Sequence, residues 1–365
     1  MKNKITTFSY YSIIIVFLVS SFLGIGVYSL FNSSKEDSII SLFISLLIGL
    51  LILLSYIKIF NYEPSLPIDK KINKLFGSIL GTIINIFLSL NCLFISISLL
   101  YSLINLISTQ FLSETPVVSI GLCLILTIIY ANIKGINALS KTSIIILYIN
   151  IFLFVLAFIP LISLVDFTNF RPILNKGIYP VLKGTYSFVT LSIIPLYFLL
   201  IIPKNLIEKE VTYKHIIKPY IFSIIIIILV TICTLGVLGI YASLTYQFPE
   251  YVVLKQVKLF NFIDRIENIV VLQWIFGLFV SLSIMIYYIT NNIKKNTKVL
   301  PIIVSLIVLY LTIKLFKNNS VYIDITTKTL PIIRIITLII FIIINILITI
   351  KKHPKVLNRL SFTSN

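Results

Sequence analysis

The chain is a succession of apolar stretches of membrane-spanning length, separated by short segments rich in charged residues, Asn and Pro. A helix needs about 20 apolar residues to cross a hydrocarbon core about 30 Å thick with its backbone hydrogen bonds closed internally. The pattern therefore predicts ten transmembrane helices, which we call spans 1 to 10. They cover residues 8–31, 38–60, 75–107, 117–133, 142–165, 178–203, 217–246, 267–290, 299–316 and 330–350.

The composition agrees with this pattern. Of the 365 residues, 58% are hydrophobic and 12% are charged, whereas a soluble domain has about 45–50% apolar and about 25% charged residues. The spans use nearly the whole chain. We therefore predict one all-α, polytopic membrane domain over residues 1–365, embedded in the lipid bilayer.

The net charge of +18 would suggest nucleic-acid binding in a soluble protein. Here the Lys and Arg residues lie in short loops, and most of them lie on the side that holds both ends of the chain. Basic loops remain on the cytoplasmic side of a membrane. The charge therefore predicts cytoplasmic termini, and it does not indicate a nucleic-acid partner.

Ten spans divide into two sets of five, and two sets of odd number insert with opposite topology. Span 1 then corresponds to span 6. In transporters with such inverted repeats, discontinuous helices place freed backbone groups around the substrate near the membrane midplane. We therefore predict a 5+5 inverted repeat, LeuT-like, in which spans 1 and 6 are interrupted.

Span 1 is interrupted by four small residues, Ser20, Ser21, Gly24 and Gly26. Its outer half would begin near Gly24, where free N–H groups and the positive end of the helix dipole favour a carboxylate. Gly and Ser are also common where membrane helices pack closely. The interruption is thus either a ligand site or a helix contact.

Span 6 is interrupted by Thr190, Ser192 and Pro195. Proline removes a backbone donor and disturbs the preceding turn. The outer half of the span would end near Thr190 and offer carbonyl oxygens to an ammonium group. A small zwitterion such as an amino acid would satisfy both interruptions, although proline in a membrane helix is often only a kink.

Other polar or aromatic side chains could line the same cavity or simply pack against a neighbouring helix. Asn91 and Ser96 lie near the middle of span 3, Ser281 lies in span 8, and Phe188 precedes the interruption of span 6. The predicted ligand-binding residues are Ser20, Ser21, Gly24, Gly26, Asn91, Ser96, Phe188, Thr190, Ser192 and Ser281. Trp274, the only tryptophan, is predicted to pack rather than stack on a ligand, with a partner for its indole N–H.

The sequence places no Asp, Glu, Lys, Arg or His clearly at mid-membrane, which argues against a proton relay. Sodium coupling through backbone oxygens of span 1 and serines of span 8 stays open. The sequence also lacks a nucleophile–base pair, a phosphate loop and a metal-ligand cluster. We therefore expect neither an enzyme nor a bound cofactor or metal.

Four segments carry a family resemblance. They are FSYYSIIIVFLVSSFLGIGVYSL at 8–30, NFRPILNKGIYPVLKG at 169–184, PLYFLLIIPK at 195–204, and the segment 246–284. The last is the most specific, with a Tyr-x-x-Pro start, a Phe-x-x-Arg-Ile-Glu core and a following tryptophan. In these segments and in its length the chain resembles the spore germination permeases, the B subunits of endospore germinant receptors in the amino acid/polyamine/organocation superfamily.

This resemblance implies a ten-helix protein of the spore inner membrane, assembled with an A subunit and a C-subunit lipoprotein. It would bind a small nutrient, often an amino acid, between spans 1, 3, 6 and 8 and trigger germination. Family members often have Gly and an acidic residue at the interruption of span 6, where this chain has residues 188–192, FVTLS. The chain therefore lacks that acidic group at the interruption, which favours a different or less polar germinant.

Two functions remain open at this stage. The chain is either the nutrient-sensing subunit of a germinant receptor or a secondary amino-acid transporter of the same fold. The missing mid-membrane carboxylate and the segment 246–284 favour the receptor.

Overall fold

The computed structural model describes residues 4–208, 212–257, 267–293 and 298–352. Within these ranges the chain is helical, and its only β-type pairing is an isolated bridge between Ile5 and Ile207. Arg265, which belongs to the Phe-x-x-Arg-Ile-Glu core of the segment 246–284, lies outside the described residues. The all-α prediction is confirmed.

Fourteen α-helices are numbered in chain order, with short 3₁₀ and π segments between some of them. They are α1 Thr7–Phe22, α2 Ile25–Ser34, α3 Ser38–Asn61, α4 Ile68–Phe76, α5 Ser78–Gln110, α6 Val117–Lys134, α7 Ile136–Ile162, α8 Tyr179–Phe188, α9 Lys214–Thr245, α10 Pro249–Val252, α11 Glu267–Asn292, α12 Val299–Leu315, α13 Asn319–Asp324 and α14 Leu330–Lys352.

In the described part of the chain, eight helical runs are long and apolar enough to cross a membrane. Two further apolar helices, Thr7–Phe22 and Val299–Leu315, are shorter. The run Ile25–Asn61 joins α2 to α3 through a 3₁₀ turn. The break inside span 1 therefore leaves α1 as a short helix of its own, and the second half of span 1 is counted together with span 2. The number of ten spans stays a prediction.

Span 1 is broken where the sequence predicts it. Helix α1 ends at Phe22 and α2 begins at Ile25, with Leu23 and Gly24 between them. Gly24 has a φ of +82°, in the left-handed region that costs residues with a Cβ about 1–2 kcal/mol. The interruption is therefore built into the backbone at one glycine.

Span 6 is interrupted in a different way from the expected unwinding. Helix α8 is followed by a π-helical turn, Val189–Ile193, and then by a 3₁₀ segment, Ile194–Ile201. Pro195 has no N–H to donate, and the change of helical type shifts the hydrogen-bond register around it. The chain thus remains wound through the interruption, but with a distorted backbone.

Both interruptions lie in the centre of the helix assembly. Helix α1 packs against α7, α9 and α11, whereas α2 packs against α8, and the π-helical turn contacts α1, α3 and α14. Every residue from Val189 to Ile201 is buried. In contrast, α3 and α7 present exposed apolar side chains such as Leu51 and Phe152, which suits contact with lipid.

Candidate functional site

The break in span 1 holds a carboxyl group of the protein itself. The backbone N–H of Gly24 donates to Oε1 of Glu250 over 2.6 Å, and the Glu250 side chain is fully buried. Glu250 belongs to α10, a single turn in the connection between α9 and α11. The N-terminus of α2 therefore binds a carboxyl group, as the helix dipole and free N–H groups favour.

Burial dominates the protonation of this group. Removal from water raises the pKa of Glu250 to about 8, against the lowering effects of backbone N–H groups, including that of Gly24. The second oxygen, Oε2, is buried without a hydrogen-bond partner among the described residues. The carboxyl group is thus protonated for the most part at neutral pH and only half satisfied.

Trp274 covers the break from the side of α11. A Cβ at Gly24 would lie 2.1 Å from Cζ2 of this indole, so the close approach requires a glycine here. The indole N–H donates to the carbonyl oxygen of Ser20 over 3.2 Å. Trp274 therefore packs against the break, and its N–H has the partner that a buried indole needs.

Ser20 and Ser281 are brought together, although 261 positions separate them in sequence. Their hydroxyl oxygens lie 2.9 Å apart, and the Ser281 hydroxyl can also donate to the Gly277 carbonyl. The contacts of Ser21 and Gly26 are with neighbours in sequence: the Ser21 hydroxyl donates to the Leu18 carbonyl, and a Cβ added at Gly26 would lie 3.0 Å from the Phe22 ring. Spans 1 and 8 thus meet at a serine pair.

The break in span 6 binds a cation of the protein. The Nη1 group of Arg334 donates to the carbonyl oxygen of Thr190 over 3.0 Å, in a buried position. The Thr190 hydroxyl donates back to the carbonyl of Tyr186, so the backbone oxygen of Thr190 is the group presented to Arg334. The Ser192 hydroxyl is buried without a partner in the described chain.

Arg334 is an ionisable side chain inside a membrane-length helical run, whereas the sequence placed none clearly at mid-membrane. The apolar pattern placed Arg334 near one end of span 10, just after the polar residues 317–329 that separate spans 9 and 10. In the structure the helical run extends from Asn319 to Lys351, so Arg334 lies near its middle and is 3% exposed. The π-helical turn Ile325–Thr329 continues the helix through the polar residues that the sequence interpretation treated as a loop.

The remaining predicted residues lie around these breaks without forming one open site. The Asn91 amide donates to the Thr337 hydroxyl over 2.9 Å, and the Ser96 hydroxyl donates to the Cys92 carbonyl of its own helix. The Phe188 ring packs edge-on against Phe22, with centroids 5.4 Å apart. Phe188 therefore bridges the interrupted spans by an apolar contact.

A cavity of about 30 Å³ adjoins the break, between α1, α7, α9 and α11, and Ser20 and Leu23 form part of its wall. A single water molecule needs about 10–15 Å³ by the same measure, so the cavity has room for only two or three water molecules. An amino acid does not fit it without movement of the surrounding helices. The structure is thus closed at the span 1 break.

Sequence reasoning missed both ionisable side chains that occupy the breaks. Glu250 follows Pro249 in a loop, where an acidic residue is ordinarily solvated. Arg334 is a lone cation in an apolar run, and such a residue indicates a functional site by default. That second signal was available in the sequence.

The sequence matches the family described as "Spore germination protein" over residues 4–321. Spore germination protein KB of Bacillus subtilis (strain 168) is 24% identical over 340 residues, which is 90% of each chain. Spore germination protein A2 of the same strain is 26% identical over 207 residues, 55% of this chain and 56% of that relative. This chain therefore spans about half the length of one relative and nine-tenths of the other.

Among solved structures, the fold is similar to that of a substrate-bound, outward-open Na⁺-coupled sialic acid symporter, with a TM-score of 0.64. The similarity covers 92% of this chain and 79% of the symporter at 13% sequence identity, and it concerns the fold alone. It confirms the predicted LeuT-like class. With the family match over most of its length, the chain is a membrane protein that belongs to the spore germination permease family.

Proposed function

We propose that this chain is the germinant-sensing membrane subunit of a spore nutrient receptor. It would reside in the spore inner membrane as a single transmembrane domain, with both termini in the cytoplasm. Binding of a small nutrient between spans 1, 3, 6 and 8 would shift a conformational equilibrium and trigger germination. Membership of the family and the transporter fold support this function.

The observation that carries the ligand proposal is the bond from Gly24 to Glu250. In this bond the N–H at the start of α2 donates to a carboxyl oxygen in a buried position. The Thr190 carbonyl likewise accepts a cationic donor, the Arg334 guanidinium. An amino acid carries both kinds of group, so its charged ends match the chemistry of the two breaks.

The partners follow from the family rather than from the site. A germinant receptor of this kind would contain an A subunit and a C-subunit lipoprotein beside this chain. The lipid bilayer would surround the exposed apolar faces, to which Leu51 and Phe152 belong. Deleting either partner gene should abolish the nutrient response without changing the amount of this subunit.

A second candidate is a secondary amino-acid transporter of the same fold. The similarity to a Na⁺-coupled symporter and the pairing of Ser20 with Ser281 across spans 1 and 8 favour it. Uptake of amino acids by this chain alone in proteoliposomes would support the transporter. Absence of uptake, together with a nutrient response in spores, would support the receptor.

The function is tested in spores in which this receptor is the only one present. Gly24→Ala places a Cβ against Trp274 and should abolish germination in an amino-acid mixture. Gly177→Ala is the matched control, because Gly177 also has a positive φ of +72° but no atom within 4 Å of the added Cβ. An unchanged response in Gly24→Ala spores that contain normal amounts of the protein would exclude the site.

A further inference from the structure

Glu250 reaches the span 1 break from outside the membrane-spanning helices. Helix α10, Pro249–Val252, is one turn long, and it follows the non-helical residues Tyr246 to Phe248. Short connections of this kind are the parts of a fold that move most readily. The carboxyl group in the break is therefore attached to a buried one-turn connection and not to a membrane-spanning helix.

The position that Glu250 fills is the one that suits a ligand carboxylate. Oε1 receives the Gly24 N–H over 2.6 Å, whereas Oε2 is buried and has no partner in the described chain. A carboxyl group held in this way is desolvated without full compensation. Glu250 fills the break with one hydrogen bond only. A carboxylate with partners for both of its oxygens could therefore replace it at a small cost in free energy.

We propose that Glu250 is a tethered substitute for the nutrient, so that the resting protein occupies its own anion site and a nutrient carboxylate must displace α10 to bind. This inference rests on the proposed function and adds the regulation of the same site. The proposal explains why no ligand-sized space is open at the break: the Gly24 N–H, which a nutrient carboxylate would use, already donates to Glu250. Arg334 occupies the second break from the long helical run 319–351, not from a short connection.

The two residues that precede α10 connect its displacement to other parts of the protein. The Phe248 ring lies edge-on to Trp274, with centroids 5.5 Å apart. Gln247 accepts from the Asn105 amide over 3.1 Å and donates to Asn319 over 2.7 Å. Release of Glu250 would therefore loosen the cover of the break and the link between spans 3, 8 and 10 together.

The test uses two variants that empty the break and two matched controls. Glu250→Ala removes the carboxyl group, and Glu250→Asp shortens the side chain by one methylene and withdraws it from Gly24. Glu250→Gln keeps the length and an oxygen acceptor. Glu114→Gln alters an exposed carboxylate in another connection between spans. All four are measured in spores against a mixture of the proteinogenic amino acids.

We expect the Ala and Asp variants to germinate at nutrient concentrations about tenfold lower than the parent, because a competing hydrogen bond is lost. Glu114→Gln should respond as the parent does, whereas Glu250→Gln, which keeps the acceptor oxygen but cannot ionise on release, should not germinate at a lower nutrient concentration than the parent. An equal or higher nutrient requirement in both the Ala and the Asp variants, at normal protein amounts, overturns the proposal.

A second measurement does not depend on any nutrient. Trp274 is the only tryptophan of the chain, so its fluorescence in purified protein in nanodiscs reports on the break. Quenching by acrylamide should increase in the Ala and Asp variants and stay at the parent level in Glu250→Gln. Equal quenching in all of them overturns the displacement, whereas spores that ignore amino acids while quenching increases would overturn only the proposed function.

Discussion

Arg334 and Thr190 form a buried hydrogen bond between span 10 and the distorted part of span 6, with 3.0 Å between Nη1 and the carbonyl oxygen. A carbonyl freed by a π-helical turn needs a donor, because an unsatisfied buried backbone group is costly. Arg334 supplies it from a neighbouring helix. The distortion of span 6 is thus stabilised by a residue 144 positions away.

Removing this donor should destabilise the protein. Arg334→Met leaves the Thr190 carbonyl without the bond, at a cost of about 1–3 kcal/mol, and we expect a lower midpoint of thermal unfolding in detergent. Lys328→Met is the control, because the ion pair of Lys328 with Asp324 is exposed and such pairs contribute little. Equal midpoints for the parent and Arg334→Met would contradict the stabilising role.

The close contact between Gly24 and Trp274 predicts that a smaller ring at position 274 restores part of the function lost in Gly24→Ala. An added Cβ at position 24 collides with Cζ2 and Cη2 of the indole, two atoms that phenylalanine lacks. Gly24→Ala combined with Trp274→Phe should therefore recover part of the nutrient response lost in Gly24→Ala. Recovery stays incomplete because the positive φ still costs about 1–2 kcal/mol. A double variant as inactive as Gly24→Ala would show that backbone strain, not the indole, causes the defect.

The serine pair predicts a small coupling between spans 1 and 8. Ser20→Ala and Ser281→Ala each remove one side of a buried contact of 2.9 Å. In a double-mutant cycle on unfolding free energy, we expect a coupling of about 0.6 kcal/mol, the size found for hydrogen bonds between membrane helices. Additive effects of the two substitutions would mean that the hydroxyl groups do not stabilise each other.

The buried Glu250 carboxyl group predicts a pH dependence of nutrient sensitivity. Its pKa is about 8 in the closed structure, against an ordinary value of 4.5 for a solvated glutamate. The closed state therefore binds more protons than a state in which Glu250 is released. The closed state is most stable below about pH 4.5 and loses stability as the pH rises to about 8. The raised pKa comes from burial, and no charged side chain contributes to it in the described chain.

Spores should accordingly need less nutrient as the pH rises through this window and show no further change above it. Glu250→Gln should remove the dependence, because the amide does not titrate. The measurement is the nutrient concentration for half-maximal germination at each pH, with Glu114→Gln as the control for a general effect of charge. The same slope in Glu250→Gln and the parent would assign the dependence to another group.

The broken first span could be predicted from sequence because its cause is local. Gly24 permits the left-handed backbone, and small residues around it leave room for neighbouring helices. The interruption of span 6 was located through Pro195, which cannot donate to its helix. Its π and 3₁₀ geometry could not be read from the sequence, because one of its carbonyl oxygens is paired with Arg334, 144 positions away.

The sequence by itself determined the membrane class, the family and the positions of the two interruptions, because apolar run length, proline and glycine act within a few residues. Only the tertiary structure decided what fills the interruptions. Glu250 lies 226 positions from Gly24, and a loop carboxylate ordinarily remains in water. The packing of α10 against α2, α9 and α11 placed it in the break, since long-range contacts, not local propensity, determine which side chains meet.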